Sequence, residues 1–349
     1  MKSVVFCFDG TGQEPKDAVQ ENSKDNNSIS NVLKLHLLLG GDLENGKEHE
    51  ISQRSFYYSG VGTRGNPLTE LVRKAVAAQA PEKILDDAMT DLMEYNDCEI
   101  VVIGFSRGAA IARQFCVKIG QEYHNAVVSL LLCFDTVASM GMPDLSVMNR
   151  PDSDVVFEDE SRSVARCIRQ AVHCVSLDDK RTAFQPTLMN RDDRVLEVWF
   201  SGGHGDVGGG WERDGLSDTV LQFAKDRVKE FTDLTFLDVN DLLYESLGPI
   251  RKDDIIDMSS EKEGKGTVHK QKIRLPVSIN PVRYHRKLVV VDSDKIDPDH
   301  APLVHESVIN RCQHDKDYRP QSLRNAKHHI WRMDGTLSEV KPGLEIHVD

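Results

Sequence analysis

The sequence predicts an α/β fold in which helices cover both faces of a mostly parallel central sheet. Two observations support this prediction. Short apolar runs rich in β-branched residues recur along the chain, and most are separated by segments with helical periodicity. One of these runs also ends in a Gly-x-Ser-x-Gly sequence that leads directly into a helical segment. Alternation of strands and helices indicates parallel strands, because a parallel connection needs a crossover.

The strand-like runs begin near the amino terminus and continue to residue 200. They cover residues 3–8, 55–58, 99–103, 127–134, 171–177 and 195–200. Helices are predicted over 28–39, 67–95 with a break near Pro81, the segment after Ser106, 161–170 and 216–230. Weaker patterns predict further strands over 287–291 and 344–348. We expect one domain over 1–349, with a core of about 1–235 and a C-terminal elaboration of about 236–349.

Three polar or charged segments interrupt this pattern. They cover residues 11–27, 139–160 and 253–269, and we expect them to be loops above the carboxyl edge of the sheet. Within the second, residues 139–148 include Met140, Met142, Leu145 and Met148. Methionine-rich loops adapt to irregular apolar surfaces, so this stretch is a candidate lid, with an ordinary surface insertion as the alternative.

Composition excludes several classes of function. With 43 basic and 56 acidic residues, the net charge of -13 argues against nucleic acid as the main partner. No apolar run approaches the ~20 residues of a membrane span. The first strand follows the initiating methionine too closely for a signal peptide, so we expect a cytoplasmic protein, with any export by a route without such a signal. Seven cysteines without metal-ligand spacing predict reduced thiols and no metal site.

The Gly104-Phe105-Ser106-Arg107-Gly108 segment predicts a nucleophile elbow. An apolar strand precedes it, and an alanine-rich helix follows it. A sharp turn at this junction would raise the Ser106 hydroxyl above the sheet. The N–H of Arg107, at the start of the helix, could then donate to an oxyanion. The alternative is an ordinary glycine-serine turn between a strand and a helix.

A serine nucleophile needs a base and an acid that orients the base. Asp135 directly follows the apolar run that ends at Phe134, and it is the preferred acid. Asp206, Asp178 and Asp179 are rival acids, and a turn or helix-capping role is the alternative for Asp135 itself.

The preferred base is His204, which lies in a glycine-dense segment after the strand that ends at Phe200. His305 is the main rival, whereas His173 lies within a strand run and is expected in the core. Ser106, Asp135 and His204 all map to the carboxyl ends of predicted parallel strands, where substrate sites of open sheets form.

The first strand ends in Asp9-Gly10-Thr11-Gly12. The N–H of Gly10 could supply a second oxyanion donor, and a glycine-rich turn held by Asp9 is the equally supported alternative. The segment is also similar to the nucleophile loop of haloacid-dehalogenase-like phosphatases, but Cys7 replaces the aspartate that would be phosphorylated.

Taken in order, several segments resemble the bacterial and fungal DUF2235 family of α/β hydrolases, which includes phospholipase effectors of type VI secretion. The matching sequences are FDGTG at 8–12, NV at 31–32, YYSGVGT at 57–63, GFSRGAA at 104–110, FDTV at 134–137, WFSGGHGDVGGG at 199–210, HESV at 305–308 and YRP at 318–320. The resemblance implies an α/β-hydrolase-like fold and a Ser–Asp–His esterase acting on lipid acyl esters, with Ser106, Asp135 and His204 in the matching places. It also implies transient membrane contact and an immunity or secretion partner.

The sequence therefore predicts a serine hydrolase of lipid acyl esters, a phospholipase, that needs no cofactor. A soluble carboxylesterase acting on small esters is the alternative within enzymes. A catalytically inactive binding module is the alternative from another class, since a fold alone does not imply activity.

Overall fold

A computed structural model of the chain describes residues 3–15, 18, 27–45, 53–60, 70–95, 97–138, 164–181, 184–211, 215–255, 266, 268–269 and 285–344. The candidate lid at 139–148, most of the other two predicted loops, and residues 345–348 of the last predicted strand lie outside these residues.

An eight-stranded sheet forms the centre of the molecule, and all its strand pairs are parallel. Numbered among all the strands of the chain, its members are β1 (Ser3–Phe8), β3 (Gln53–Tyr58), β4 (Glu99–Phe105), β5 (Val128–Phe134), β6 (Ile168–Ser176), β7 (Val195–Phe200), β11 (Leu303–His305) and β12 (His329–Trp331). Their order in the sheet is β12-β11-β7-β6-β5-β4-β1-β3. The predicted α/β class is confirmed.

In the part of the chain that the structure describes, the remaining elements are seven α-helices, two short 3₁₀ helices (Val239–Asp241 and Tyr244–Ser246) and two small strand pairs. The helices are α1 (Asn31–Leu38), α2 (Glu70–Leu92), α3 (Arg107–Glu122), α4 (His204–Gly208), α5 (Gly215–Phe231), α6 (Lys252–Ile255) and α7 (Glu306–His314). The strand pairs are β2 (Asn27–Ser30) with β8 (Gly209–Trp211), and β9 (Val290–Asp292) with β10 (Lys295–Asp297), both antiparallel.

Helices cover both faces of the sheet, because the strand residues that point to either face are mostly apolar. One apolar cluster joins Val5, Val101 and Leu132 to residues of α1 and α5. A second cluster joins Phe6, Val102 and other strand residues to α2 and α3 on the opposite face. Burial on both faces explains why the central strands are continuously apolar.

The order of the strands places a topological switch point between β1 and β4. From β1 the chain runs outward to β3, crosses back to β4, and then continues in the opposite direction through β5, β6 and β7. Connections that follow β1 and β4 therefore lead in opposite directions, and the carboxyl edge beside such a switch point is where open parallel sheets bind ligands.

The pairing register aligns the ends of the strands along this edge. Phe8 pairs with Gly104, Phe105 with Phe134, and Phe134 with Cys174. The residues that follow β1, β4 and β5 therefore emerge side by side.

Several predicted elements are wrong in detail. The first helix begins at Asn31 rather than 28, because Ser30 adopts an extended backbone and its Oγ caps α1 by accepting from the N–H of Leu33. The predicted break at Pro81 is absent, since α2 runs through this residue. Proline removes one N–H and can bend a helix without ending it.

Residues 168–170, which fall within the helix predicted over 161–170, instead begin β6, where Ile168 pairs with Val128, so sheet pairing overrides the local helical pattern. The strand predicted over 287–291 is shifted to β9 and lies outside the main sheet. The main sheet instead gains β11 and β12 from the C-terminal part of the chain.

Candidate active site

Ser106 lies on the sharp turn between β4 and α3. Its backbone has φ 57° and ψ −123°, a positive-φ conformation that residues other than glycine rarely adopt. The Ser106 N–H donates to the carbonyl of Phe134 at 3.0 Å, which ties the turn to β5. The predicted strand–turn–helix context of the serine is confirmed.

The two glycines of the motif allow α3 to approach the sheet closely. A Cβ atom on Gly104 would lie 2.6 Å from the Cα of Ala109. A Cβ atom on Gly108 would lie 2.3 Å from the carbonyl oxygen of Phe8. Any side chain at either position would push the helix away from β4 or β1, and the turn at Ser106 would move with it.

Arg107 is the first residue of α3. Neither its backbone N–H nor its guanidinium makes a hydrogen bond to any residue that the structure describes, and the side chain has no ion pair or ring contact there. Partial burial lowers the pKa of the guanidinium from its ordinary value. A partly desolvated cation beside the serine is suited to attract an anionic group.

Asp135 and His204 form a buried pair beside the elbow. Asp135 directly follows β5, also has a positive φ of 42°, and is fully buried. Its Oδ2 lies 2.6 Å from Nδ1 of His204, the first residue of α4. Because Asp135 holds one ring nitrogen, the Nε2 of His204 is the nitrogen left for proton transfer.

The rival acids make other contacts. Asp206 binds His269, with Oδ1 2.6 Å from the ring Nδ1, and its Oδ2 accepts from the N–H of Gly203 at 2.8 Å. Asp178 accepts from the hydroxyl of Tyr318 at 2.5 Å. Asp179 pairs with Arg181 at 2.6 Å, and it accepts from the backbone N–H of His204 rather than from the ring.

The rival base is placed elsewhere. His305 caps α7, where its Nδ1 accepts from the N–H of Ser307, and its ring stacks on Phe200 at 4.6 Å. Burial lowers the pKa of His305 to about 3. The structure therefore brings His204, and not His305, to the carboxylate of Asp135. His173 is fully buried in the core, as expected.

Arg286, which no pattern in the sequence indicated, binds the carboxylate of Asp135. The Nη1 of Arg286 donates to Oδ1 of Asp135 at 2.6 Å, and its Nη2 donates to Oδ2 at 2.9 Å. Burial alone would raise the pKa of the Asp135 carboxyl, but Arg286 and His204 together lower it well below its usual range. Asp135 is therefore a carboxylate at neutral pH. The segment around Arg286 has no motif, so no signal in the sequence could have connected it to the site.

Aromatic side chains surround the imidazole of His204. The ring of Phe105 lies 4.7 Å away between centroids, and that of Phe184 lies 5.0 Å away in an edge-on arrangement. Such apolar walls limit the access of water to this imidazole and strengthen the electrostatic interactions beside it.

The turn after β1 lies next to this site, because Gly10 packs against the ring of Phe105. The N–H of Gly10 donates to Oδ1 of Asp9 at 2.7 Å, so this predicted oxyanion donor is engaged within its own turn. Asp9 also accepts from Ser30 Oγ and the Tyr57 hydroxyl, both at 2.6 Å. The carboxylate of Asp9 thus holds the turn, and an oxyanion role for Gly10 stays a prediction.

Among the described residues, no group of three or more histidine, cysteine or acidic side chains is arranged to hold a metal ion. Over the same part of the chain, no helix has the length and apolar character needed to cross a bilayer.

Comparison with known families gives a match over most of the chain. Residues 2–122 and 117–226 match the model of the catalytic domain of Tle1-like phospholipase effectors of type VI secretion. The chain belongs to this family. Membership in the Tle1-like family confirms the resemblance to type VI secretion phospholipase effectors.

Individual relatives of this Tle1-like domain are distant. An uncharacterized Saccharomyces cerevisiae protein is 29% identical over 130 residues, which are 32% of this chain and 16% of that protein. The crystal structure of an uncharacterized Pseudomonas aeruginosa protein is 19% identical, with a TM-score of 0.46, over 76% of this chain and 49% of the other. A structure of the Tle1 effector bound to the VgrG spike is 20% identical, with a TM-score of 0.33, over 60% and 51%. The chain thus spans about half or less of the length of these relatives.

Proposed function

We propose that this protein is a serine phospholipase that cleaves acyl esters with Ser106, His204 and Asp135. The observation that carries the proposal is the bond of 2.6 Å between Asp135 and His204 beside a serine on a positive-φ turn. Family membership supports a phospholipid as substrate.

In the proposed reaction, Nε2 of His204 accepts the proton of the Ser106 hydroxyl as its oxygen attacks the ester carbonyl. Asp135 fixes the ring tautomer through Nδ1 and stabilises the imidazolium that forms. The tetrahedral intermediate collapses to an acyl-enzyme, and His204 returns the proton to the departing alcohol. Water, deprotonated by His204, then attacks the acyl-enzyme, and the fatty acid leaves as Ser106 recovers its proton.

The negative charge of the intermediate needs a donor that is already in place. The N–H of Arg107 suits this role, because it lies at the amino terminus of a 16-residue helix and has no partner among the described residues. Gly10 would be a second donor only after its N–H is released from Asp9.

The guanidinium of Arg107 supports a phosphate-bearing substrate over a neutral one. Its charge is partly buried and is not paired with any acidic side chain that the structure describes. A phosphodiester next to the scissile ester would supply the missing partner through charge-assisted hydrogen bonds. Delivery by type VI secretion, with a partner from the secretion machinery, is proposed from family membership alone.

Labelling with a fluorophosphonate probe, followed by release of fatty acid from phospholipid vesicles, tests this function. We expect labelling and hydrolysis in the natural protein and in Ser129→Ala, whose buried serine lies near the start of β5. Ser106→Ala should show neither labelling by the probe nor hydrolysis of the vesicles. Turnover of small esters without any turnover of phospholipid would indicate a carboxylesterase. No labelling of well-folded protein would indicate a binding module.

A further inference from the structure

We propose that Arg286 is a positioning residue for the catalytic pair: it orients Asp135 as a carboxylate and favours the unprotonated form of the pair in which His204 can act as a base. The inference rests on the proposed function. It concerns a side chain outside residues 2–226, the part of the chain that matches the family model.

Four nitrogen atoms surround the carboxylate of Asp135. Its Oδ1 accepts from Arg286 Nη1 at 2.6 Å and from the N–H of Ser176 at 2.9 Å. Its Oδ2 accepts from Arg286 Nη2 at 2.9 Å and faces His204 at 2.6 Å. An ionised carboxylate accepts at both oxygens, whereas a protonated carboxyl would bring a further donor into this arrangement. The surroundings of Asp135 therefore require its charged form.

Arg286 is itself held in place by several hydrogen bonds. Its side chain is fully buried, and besides Asp135 it donates to the carbonyl of Ser176 at 2.7 Å and to that of Phe184. Phe184 forms the edge-on wall against the ring of His204. One guanidinium thus joins the end of β6, the acid and a wall of the base, which is the bidentate role that arginine performs and lysine cannot.

Several charged side chains lie near Asp135 and His204. The charged or titratable side chains near His204 include Asp135 with its cation Arg286, Asp179 with its cation Arg181, and Asp206 with His269. Asp178, Lys180 and Arg107 of α3 also belong to this surrounding. Arg181 pairs with Asp179 and His269 pairs with Asp206, so Arg286 is the cation placed directly on the acid of the pair. A proton on His204 would add a second positive charge to a carboxylate that Arg286 already neutralises.

Removal of Arg286 should therefore stabilise the protonated pair, whichever of the two residues carries the proton. The pH at which activity is half-maximal should rise. A purely structural role would have another signature: loss of the arginine would lower stability, and the rate at every pH, without moving that midpoint.

The test measures kcat/KM against pH for the natural protein, Arg286→Met and Arg286→Lys. We expect the midpoint of Arg286→Met to move upward by about one pH unit or more, and that of Arg286→Lys to move less, because lysine keeps the charge but not the fork. Arg113→Met is the matched control. Arg113 is also buried, and its Nη1 donates to the carbonyl of Thr187, so the midpoint of this variant should stay in place. An unmoved midpoint in Arg286→Met overturns the proposal.

Arg286→Met leaves a buried carboxylate without its cation and could fail to fold. The double variant Asp135→Asn with Arg286→Met removes both charges. If Arg286 acts through Asp135, this variant should be no less active than Asp135→Asn alone. A further loss of tenfold or more in the double variant would contradict action through Asp135.

A titration of His204 by NMR separates this inference from the proposed function. The resonance is assigned among the 13 histidines with His204→Gln. A higher pKa of His204 in Arg286→Met would support the inference even in a protein that hydrolyses no ester. An unchanged titration in an active enzyme would reject the inference and leave the proposed function standing.

Discussion

The ring of Phe105 lies 4.7 Å from the imidazole of His204, centroid to centroid, at an interplanar angle of 34°. Phe105 immediately precedes Ser106, so the position of this imidazole is linked to the backbone of the positive-φ turn that carries the serine. The same phenylalanine packs against Gly10 in the turn after β1. The side chain of Phe105 thus lies where three segments of the carboxyl edge come together: the turn after β1, the elbow after β4 and the segment after β7.

The choice of acid can be tested with two isosteric variants. We expect Asp135→Asn to lower kcat by about 10⁴-fold, because an amide cannot hold the required tautomer of His204. Asp206→Asn should cost far less, since Asp206 bonds His269 and the N–H of Gly203 and not the ring of His204. Steady-state kinetics on one soluble ester would decide, and an inactive Asp206→Asn beside a nearly normal Asp135→Asn would exchange the two roles.

The choice of base has a pH signature. The rate should rise with pH through a single ionisation, because His204 must be neutral to accept the serine proton. We expect His204→Ala to abolish both activity and that ionisation. His305→Ala should keep the ionisation, because burial already lowers the pKa of His305 to about 3 and this ring is neutral throughout the assayed range. Rate profiles of both variants from acidic to neutral pH provide the check. A profile that survives loss of His204 but not of His305 would contradict the assignment.

Arg107 should distinguish charged from neutral lipids. We predict that Arg107→Gln lowers kcat/KM on a short-chain phospholipid about tenfold or more beyond its effect on a matched neutral diacylglycerol, because a charge-assisted hydrogen bond to phosphate is lost. Arg107→Lys should retain part of the difference. The ratio of the two rates is the measurement, and equal losses on both lipids would mean that Arg107 supports the elbow instead of the substrate.

Two glycines of the same helix should respond oppositely to alanine. Gly108→Ala should lower the free energy of unfolding by about 2 kcal/mol or more, because the new Cβ would lie 2.3 Å from the carbonyl oxygen of Phe8. Gly120→Ala should be neutral or stabilising by about 0.5–1 kcal/mol, because its nearest neighbour is the sulfur of Cys167 at 3.5 Å and alanine favours helix. Urea midpoints give both values. Equal stability of the two variants would mean that α3 can withdraw from β1 without cost.

The elements that could be predicted are those whose sequence pattern extends over several residues. The six long strands are buried on both faces, so their apolar runs were visible, and the elbow combined such a run with two glycines whose spacing reflects close packing. The pairing of Asp135 with His204 follows from the position of each residue at the end of a strand.

Features that depend on contacts between residues far apart in the sequence could not be predicted from local patterns. β11 and β12 contain three residues each, too few for a periodic pattern, and β2 exists because it pairs with β8. Arg286 follows the described part of β7 by more than 80 positions and reaches Asp135 only through the tertiary fold. A lone arginine in a charged segment has no local property that distinguishes it from one on the surface.

The part of the chain that matches the family model ends at residue 226. The last strand of the main sheet within that part is β7, but β7 is not an edge strand. Leu303 and Val304 of β11 pair with Val198 and Trp199, and the indole of Trp199 is fully covered. If the chain were cut soon after residue 226, the backbone groups of β7 would be exposed along an apolar margin, which is a template for pairing with other chains. We therefore expect the C-terminal segment to protect the first 226 residues from self-association, and we expect shortened versions of this protein to precipitate unless that margin is covered.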